Sequence, residues 1–132
     1  MNTELMYLAM VATLTGLLWV PYILNEIMVR GVVDAVGYPE NPKPLAKWAQ
    51  RLKAAHYNAV ENLVVFGALV LVAQAAGIHT AAIAGAAHVY FWARVVHAAA
   101  YAFAIPWVRT LAFVAGFGCQ MCIAWHILCP AS

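Results

Sequence analysis

The chain has 132 residues, of which 66% are apolar and 9% charged, with a mean hydropathy of +0.81. A soluble domain carries about 45–50% apolar and about 25% charged residues, so this chain lacks the polar groups to face water and excludes a soluble enzyme or a sizeable extramembrane domain. Seven basic against five acidic side chains, a net charge of +2, also fall short of the basic excess of a nucleic-acid binder, and no nucleic-acid partner is expected.

Setting aside the polar stretch 29–53 leaves roughly 105 residues in apolar runs, which at about 20 residues per span gives about four or five crossings. The N-terminal segment has no basic n-region and no small-residue cleavage site ahead of a polar domain, so it reads as a retained first span. That helix is expected over 3–28, with Thr3 as N-cap, Glu4 in the first turn and a kink at Pro21. Gly31, Gly37, Pro39, Pro42 and Pro44 then make 30–44 an irregular polar loop.

The second helix is expected to open at Pro44 or Leu45 and to run to Ala76, stopped by Gly77. It is longer than a bilayer core, so its basic first half must project into water. The third is expected over 80–103, because Pro106 disfavours helix just before it. The fourth opens at Pro106 and ends at 128, before Pro130. The long second helix fixes the count at four, and the reading is a single all-α transmembrane domain over 1–132, an integral membrane four-helix bundle. Short links between the later helices force antiparallel neighbours, and the small residues Ala81, Gly85, Ala93, Ala112 and Gly116 are expected to let helices approach closely.

Five of the seven basic residues, Arg30, Lys43, Lys47, Arg51 and Lys53, fall at the first link, and Arg109 lies at the third-to-fourth link on the same side. The positive-inside rule then puts both links in the cytoplasm and both termini opposite, so a site built there opens to cytosolic small molecules. The expected setting is a multi-pass protein of a bacterial inner membrane rather than the endoplasmic reticulum.

Ionisable residues inside a span cost about 2.5–3.5 kcal/mol each even on a lenient scale, so each requires a partner or a wet cavity. Glu61, Arg94 and His97 qualify by depth, with Asn58 and Tyr101 beside them; Arg94 falls roughly 13 Å in from the cytoplasmic end of its helix. Tyr90, Arg94, His97 and Tyr101 share one helical stripe, and Arg51, Ala54, Asn58, Glu61 and Val65 make the corresponding stripe on the second helix. Two readings stand: Glu61 and Arg94 form a buried structural pair, or the surplus donors hold an anionic polar ligand.

The segments RLKAAHYNAVEN (51–62) and FWARVVHAAAYAFAIPWVRTLAF (91–113) resemble the two signature stretches of the MAPEG family, the membrane-associated proteins in eicosanoid and glutathione metabolism. The pattern is Asn-x-x-Glu, then Arg-x-x-His-x-x-x-Tyr, then Pro-x-x-Arg-Thr. The resemblance implies a homotrimer of four-helix subunits with glutathione as cosubstrate, bound between neighbouring subunits. It implies that Asn58, Glu61, Arg94, His97, Tyr101 and Thr110 bind glutathione and that Arg109 stabilises its thiolate for catalysis. The implied activity is a glutathione-dependent transferase or peroxidase acting on a lipophilic small molecule or lipid, or alternatively a noncatalytic lipid-binding or scaffold protein of the same fold. Tyr57 stands where isomerase-like members have a second arginine and Ala59 where they have an acid, which argues against prostaglandin isomerase activity. A third reading from the residues alone is a small transporter with Glu61 as proton carrier.

Independently of resemblance, a tripeptide with two carboxylates and one ammonium suits a pocket with several guanidinium groups and one carboxylate. Cys119, Cys122 and Cys129 cluster in the last helix and argue against a disulfide framework. Cys119, Cys122 and His126 share a stripe but read as packing, with no metal expected. His56 is expected to bond to another helix, Asn25 and Glu26 are open candidates for the pocket, and Trp48, Trp107 and Trp125 read as interfacial anchors.

Overall fold

The computed structural model describes residues 1–130, and within them the chain is all-helical. Helices α1 (Thr3–Leu17) and α2 (Trp19–Val36) run end to end as one kinked rod. Leu18 keeps helical dihedrals; the ladder breaks there because Pro21 has no N–H to give the carbonyl of Leu17, four residues back. Asn2, rather than Thr3, caps the rod: its Oδ1 accepts from the Leu5 N–H at 3.0 Å and its Nδ2 donates to Gln74 Oε1 at 2.6 Å. Asparagine outranks threonine as a cap, and here it also ties the first rod to the end of α3.

The rod continues past the expected end near Met28. It kinks at Gly31, whose φ of 81° and ψ of 160° suit glycine alone, and one more helical stretch reaches Val36. Helix α3 (Lys47–Ala75) begins later than Pro44 or Leu45. The cause is tertiary: Asn25 Oδ1 accepts from the Ala46 N–H at 3.0 Å, which holds Ala46 extended, while Leu45 is buried with Tyr22, Ala49 and Leu52. Helices α4 (Ala81–Ala102) and α5 (Pro106–Leu128) fall within one residue of expectation.

Three rods are long and apolar enough to cross a bilayer: Thr3–Val36, Lys47–Ala75 and Pro106–Leu128. Helix α4 has the length, 22 residues, but carries His88, Arg94 and His97, which lower its apolar content. It packs most extensively on α5 and also touches α1 and α3. The main core lies between these helices. Phe66 of α3 stacks on Tyr90 of α4 at 4.0 Å with the rings 5° from parallel, and Val11, Val70, Ile83 and Ile123 close around them.

Gly116 sits where α4 and α5 meet, as expected, while Ala93 and Ala112 are buried at the floor of the groove between the two helices. A Cβ on Gly116 would lie 3.6 Å from the Tyr90 ring and 3.9 Å from Arg94 Cδ, so the two helices are in contact through this point. Ala81 and Gly85 instead lie on the exposed face of α4.

Both interhelical turns at the two ends of α4 use the same device with different residues. After α3, the Ile78 N–H bonds to Ala73 O at 2.9 Å and the Gly77 N–H to Gln74 O at 3.2 Å, with Gly77 at φ 70°. After α4, the Ile105 N–H bonds to Ala100 O at 2.8 Å and the Ala104 N–H to Tyr101 O at 3.2 Å, with Ala104 at φ 60°. These are Schellman motifs, in which the left-handed position favours glycine. Ala104→Gly is therefore expected to raise the thermal midpoint in detergent, and Gly77→Ala to lower it, each by about 1 kcal/mol in unfolding free energy.

Candidate functional site

The basic ends of α3 and α5 meet the C-terminal end of α4. Arg51, one turn into α3, donates Nε–H to the Ala102 carbonyl at 3.1 Å, so a cation sits on the negative end of α4. Arg109, one turn into α5, lies over the Tyr101 ring with Cζ 4.9 Å from its centroid. Beside it opens a cleft of about 220 Å³ lined by Asn58, His97, Tyr101, Arg109, Thr110 and Phe113. Tyr101 and Arg109 also border a second hollow of about 250 Å³ that adds Arg51 and the Ala104 turn.

The stripe expected on α4 is present: Tyr90, Arg94 and His97 are buried, and Tyr101 is half-buried at the mouth. His97 meets Tyr101 edge to face with centroids 5.6 Å apart. Arg94 is 3% exposed and donates Nη2–H to Asn58 Oδ1 at 2.7 Å.

The ion pair expected between Glu61 and Arg94 is not formed, and the neutral amide of Asn58 takes its place. The inward face of α3 passes through Ala55, Ala59, Phe66 and Val70, whereas Glu61 is rotated off it and exposed. The position on the inward line is Asn62, one residue later. Its Nδ2 donates to Asn58 O at 2.9 Å and to Asn58 Oδ1 at 3.3 Å, and Gln120 of α5 donates Nε2–H to Asn62 O at 3.2 Å. Neither Asn62 nor Gln120 was marked by motif. Each could be found as an amide interrupting an apolar stripe, Asn62 between Ala59 and Phe66 and Gln120 between Gly116 and Ile123.

Of the seven residues expected in the site, Asn58, His97, Tyr101, Arg109 and Thr110 line the cleft; Arg94 supports it from beneath through Asn58, and Glu61 stands outside. Two atoms of the α4 stripe, Arg94 Nε and His97 Nδ1, are buried without a protein partner, and the Tyr90 hydroxyl lies beside the Gln120 side chain. The other candidates are engaged elsewhere. His56 Nδ1 and the Tyr22 hydroxyl share a hydrogen bond of 2.7 Å, Asn25 accepts from the Ala46 N–H ahead of α3, and Glu26 pairs with Arg30 at 2.7 Å. His126 donates Nδ1–H to the Cys122 carbonyl at 2.8 Å. Trp48, Trp107 and Trp125 are exposed, the first two at the basic end and the third at the other.

The fold and the polar seam define a class: a small multi-pass helical membrane protein whose buried cation and amides lead to a cleft at its basic end. The MAPEG family model matches residues 6–129 of the 132-residue chain, and the chain belongs to the MAPEG family. No curated protein and no solved structure matched it.

A buried guanidinium without an acid gains little for folding, yet stranding it is costly. Asn58→Ala is expected to lower stability by about 1–3 kcal/mol by leaving Arg94 Nη2 unpaired. Arg94→Met, which keeps the bulk and removes the charge, is expected to stay within about 1 kcal/mol of the parent or to exceed it. Thermal unfolding of the detergent-solubilised variants checks both.

Proposed function

We propose that this protein is a glutathione-dependent membrane enzyme, a transferase or peroxidase acting on lipophilic electrophiles or hydroperoxides, with Arg109 stabilising the glutathione thiolate. The observation that carries the reading is the cleft in which Arg109, Thr110, Tyr101, His97 and Asn58 converge. Family membership supports the coarser statement, a membrane protein of eicosanoid and glutathione metabolism. Arg51 and Arg109 border adjoining hollows and supply fixed positive charge for the carboxylates and sulfur of a tripeptide.

The chemistry follows from one electrostatic effect. A free thiol has a pKa of about 8.5, and a guanidinium within hydrogen-bond reach favours the anion and lowers it. The thiol proton leaves to water at the open end of the cleft. The thiolate then attacks an electrophilic carbon, forming a C–S bond as the leaving group departs with its electron pair. With a hydroperoxide, the thiolate attacks the terminal oxygen, the O–O bond breaks, sulfur keeps the hydroxyl as a sulfenic acid, and the departing alkoxide takes a proton from water to leave as the alcohol. A second glutathione thiol condenses with that sulfenic acid to give disulfide and water.

In this reading α4 is the fourth crossing, the basic end faces the cytoplasm and three chains assemble. Glu61 supports assembly: an exposed carboxylate on the span of α3 is costly against lipid, and a neighbouring copy on that face removes it from lipid and gives it polar partners. A second reading, a noncatalytic lipid-binding or scaffold protein, is favoured by the apolar groove of about 520 Å³ between α4 and α5, where Val89, Trp92, Val96, Val108 and Leu111 could take an acyl chain.

Calorimetric titration of the detergent-purified protein with glutathione decides between them, and absence of binding would sink the enzyme reading. With binding, the thiolate absorbance of the complex should titrate below the pH at which free glutathione does, so the thiolate fraction at neutral pH rises. Arg109→Ala should return that titration toward the free value and reduce turnover of a chlorinated arene by about tenfold or more.

A further inference from the structure

We propose that Gln120 is a positioning residue for the cleft, acting through Asn62 to fix the amide of Asn58 with its oxygen on Arg94 and its nitrogen free for the ligand. The inference rests on the glutathione reading and adds to it a pair of residues outside the cleft itself.

The polarity of the whole chain of amides is forced by its fixed members. Arg94 can only donate, so the Asn58 atom 2.7 Å from its Nη2 is the side-chain oxygen. The backbone carbonyl of Asn58 can only accept, so the Asn62 atom 2.9 Å away is the amide nitrogen. Asn62 Oδ1 therefore points to the other side, where Gln120 Nε2 approaches both it, at 3.4 Å, and the Asn62 carbonyl, at 3.2 Å. Gln120 is 3% exposed and lies on the inward face of α5 among Gly116, Cys119 and Ile123. Its amide also lies beside the Tyr90 hydroxyl, and its nitrogen is committed to Asn62.

The effect reaches the cleft because Asn58 belongs to both networks. Its oxygen accepts from Arg94 and Asn62, so its Nδ2–H₂ group is turned away from them, and Asn58 lines the cleft. An amide presented nitrogen first recognises an acceptor, a peptide carbonyl or a carboxylate, as in glutathione. Without Gln120 the Asn62 side chain keeps the Asn58 carbonyl as acceptor but loses the donor on its own oxygen, so only one end of the amide is held and it is free to swing. Asn58 then loses one of the two donors that hold its oxygen inward.

The test is a double-mutant cycle on glutathione affinity, read by titration calorimetry of the full chain in detergent below the thermal midpoint of every variant. Gln120→Met, close in volume and without a donor, should weaken binding by about 5- to 10-fold, as expected for one misplaced hydrogen bond. In the Asn58→Ala background the same substitution should have no further effect, because the residue it acts through is gone. A residue that merely packs would weaken both backgrounds by the same factor, and equal factors overturn the proposal; so does parental affinity in Gln120→Met. If Gln120→Met does not fold, Asn62→Leu enters the same cycle with the same expectation. Failure of the parent protein to bind glutathione overturns the enzyme reading and this inference with it, whereas binding with multiplicative effects overturns only the inference.

Discussion

The hydrogen bond between Arg94 and Asn58 is the contact on which the rest of the arrangement depends. It places a full positive charge, 3% exposed, in an apolar bundle with one neutral acceptor and no carboxylate. A guanidinium in that position is tolerated only while its surroundings hold it. Helix α5 must come close enough to shield it, and it does so at Gly116, where a Cβ would stand 3.9 Å from Arg94 Cδ. Helix α3 must present an amide oxygen, and the hydrogen bond from Asn62 keeps that oxygen in place. The sequence choices at three helices thus answer to one charge.

The cleft above that charge opens at the basic end of the bundle. Arg51 on the carbonyl of Ala102 fixes α3 against the last turn of α4, and the turn through Ala104 delivers α5 with Arg109 over Tyr101. Two further cations thus stand at the mouth above Arg94. Like charges gathered this closely repel, and among the described residues the contacts between acidic and basic side chains are Arg30 with Glu26 and His79 with Glu4, neither at the cleft. An anion entering the cleft relieves that repulsion, which is a source of affinity that requires no close fit.

Helices α4 and α5 were legible in the sequence because their boundaries are local: Thr80 caps one, and Pro106 opens the other. The buried stripe of α4 was legible for the same reason, since a period of three and four residues places Tyr90, Arg94 and His97 on one face. What could not be read was the rotation of α3 against that face. Asn58, Glu61 and Asn62 all lie within about a third of a turn of one another when projected along the axis, and charge complementarity selected Glu61 where packing selected Asn62. The late start of α3 was hidden for a different reason, because the Asn25 side chain that holds Ala46 extended is twenty-one residues away.

The unpartnered atoms of α4 bear on what the site is for. Arg94 Nε and His97 Nδ1 lie on the stripe that runs from the core to the cleft, and each is buried without a protein partner. Left so, groups of this kind cost about 1–3 kcal/mol apiece. Stability alone would replace them with apolar side chains of similar volume. A chain with twelve charged residues that keeps one of them here, with a histidine and a tyrosine beside it, gains nothing in packing from doing so, and in the proposed function a polar ligand at the open end of that stripe supplies the missing reason.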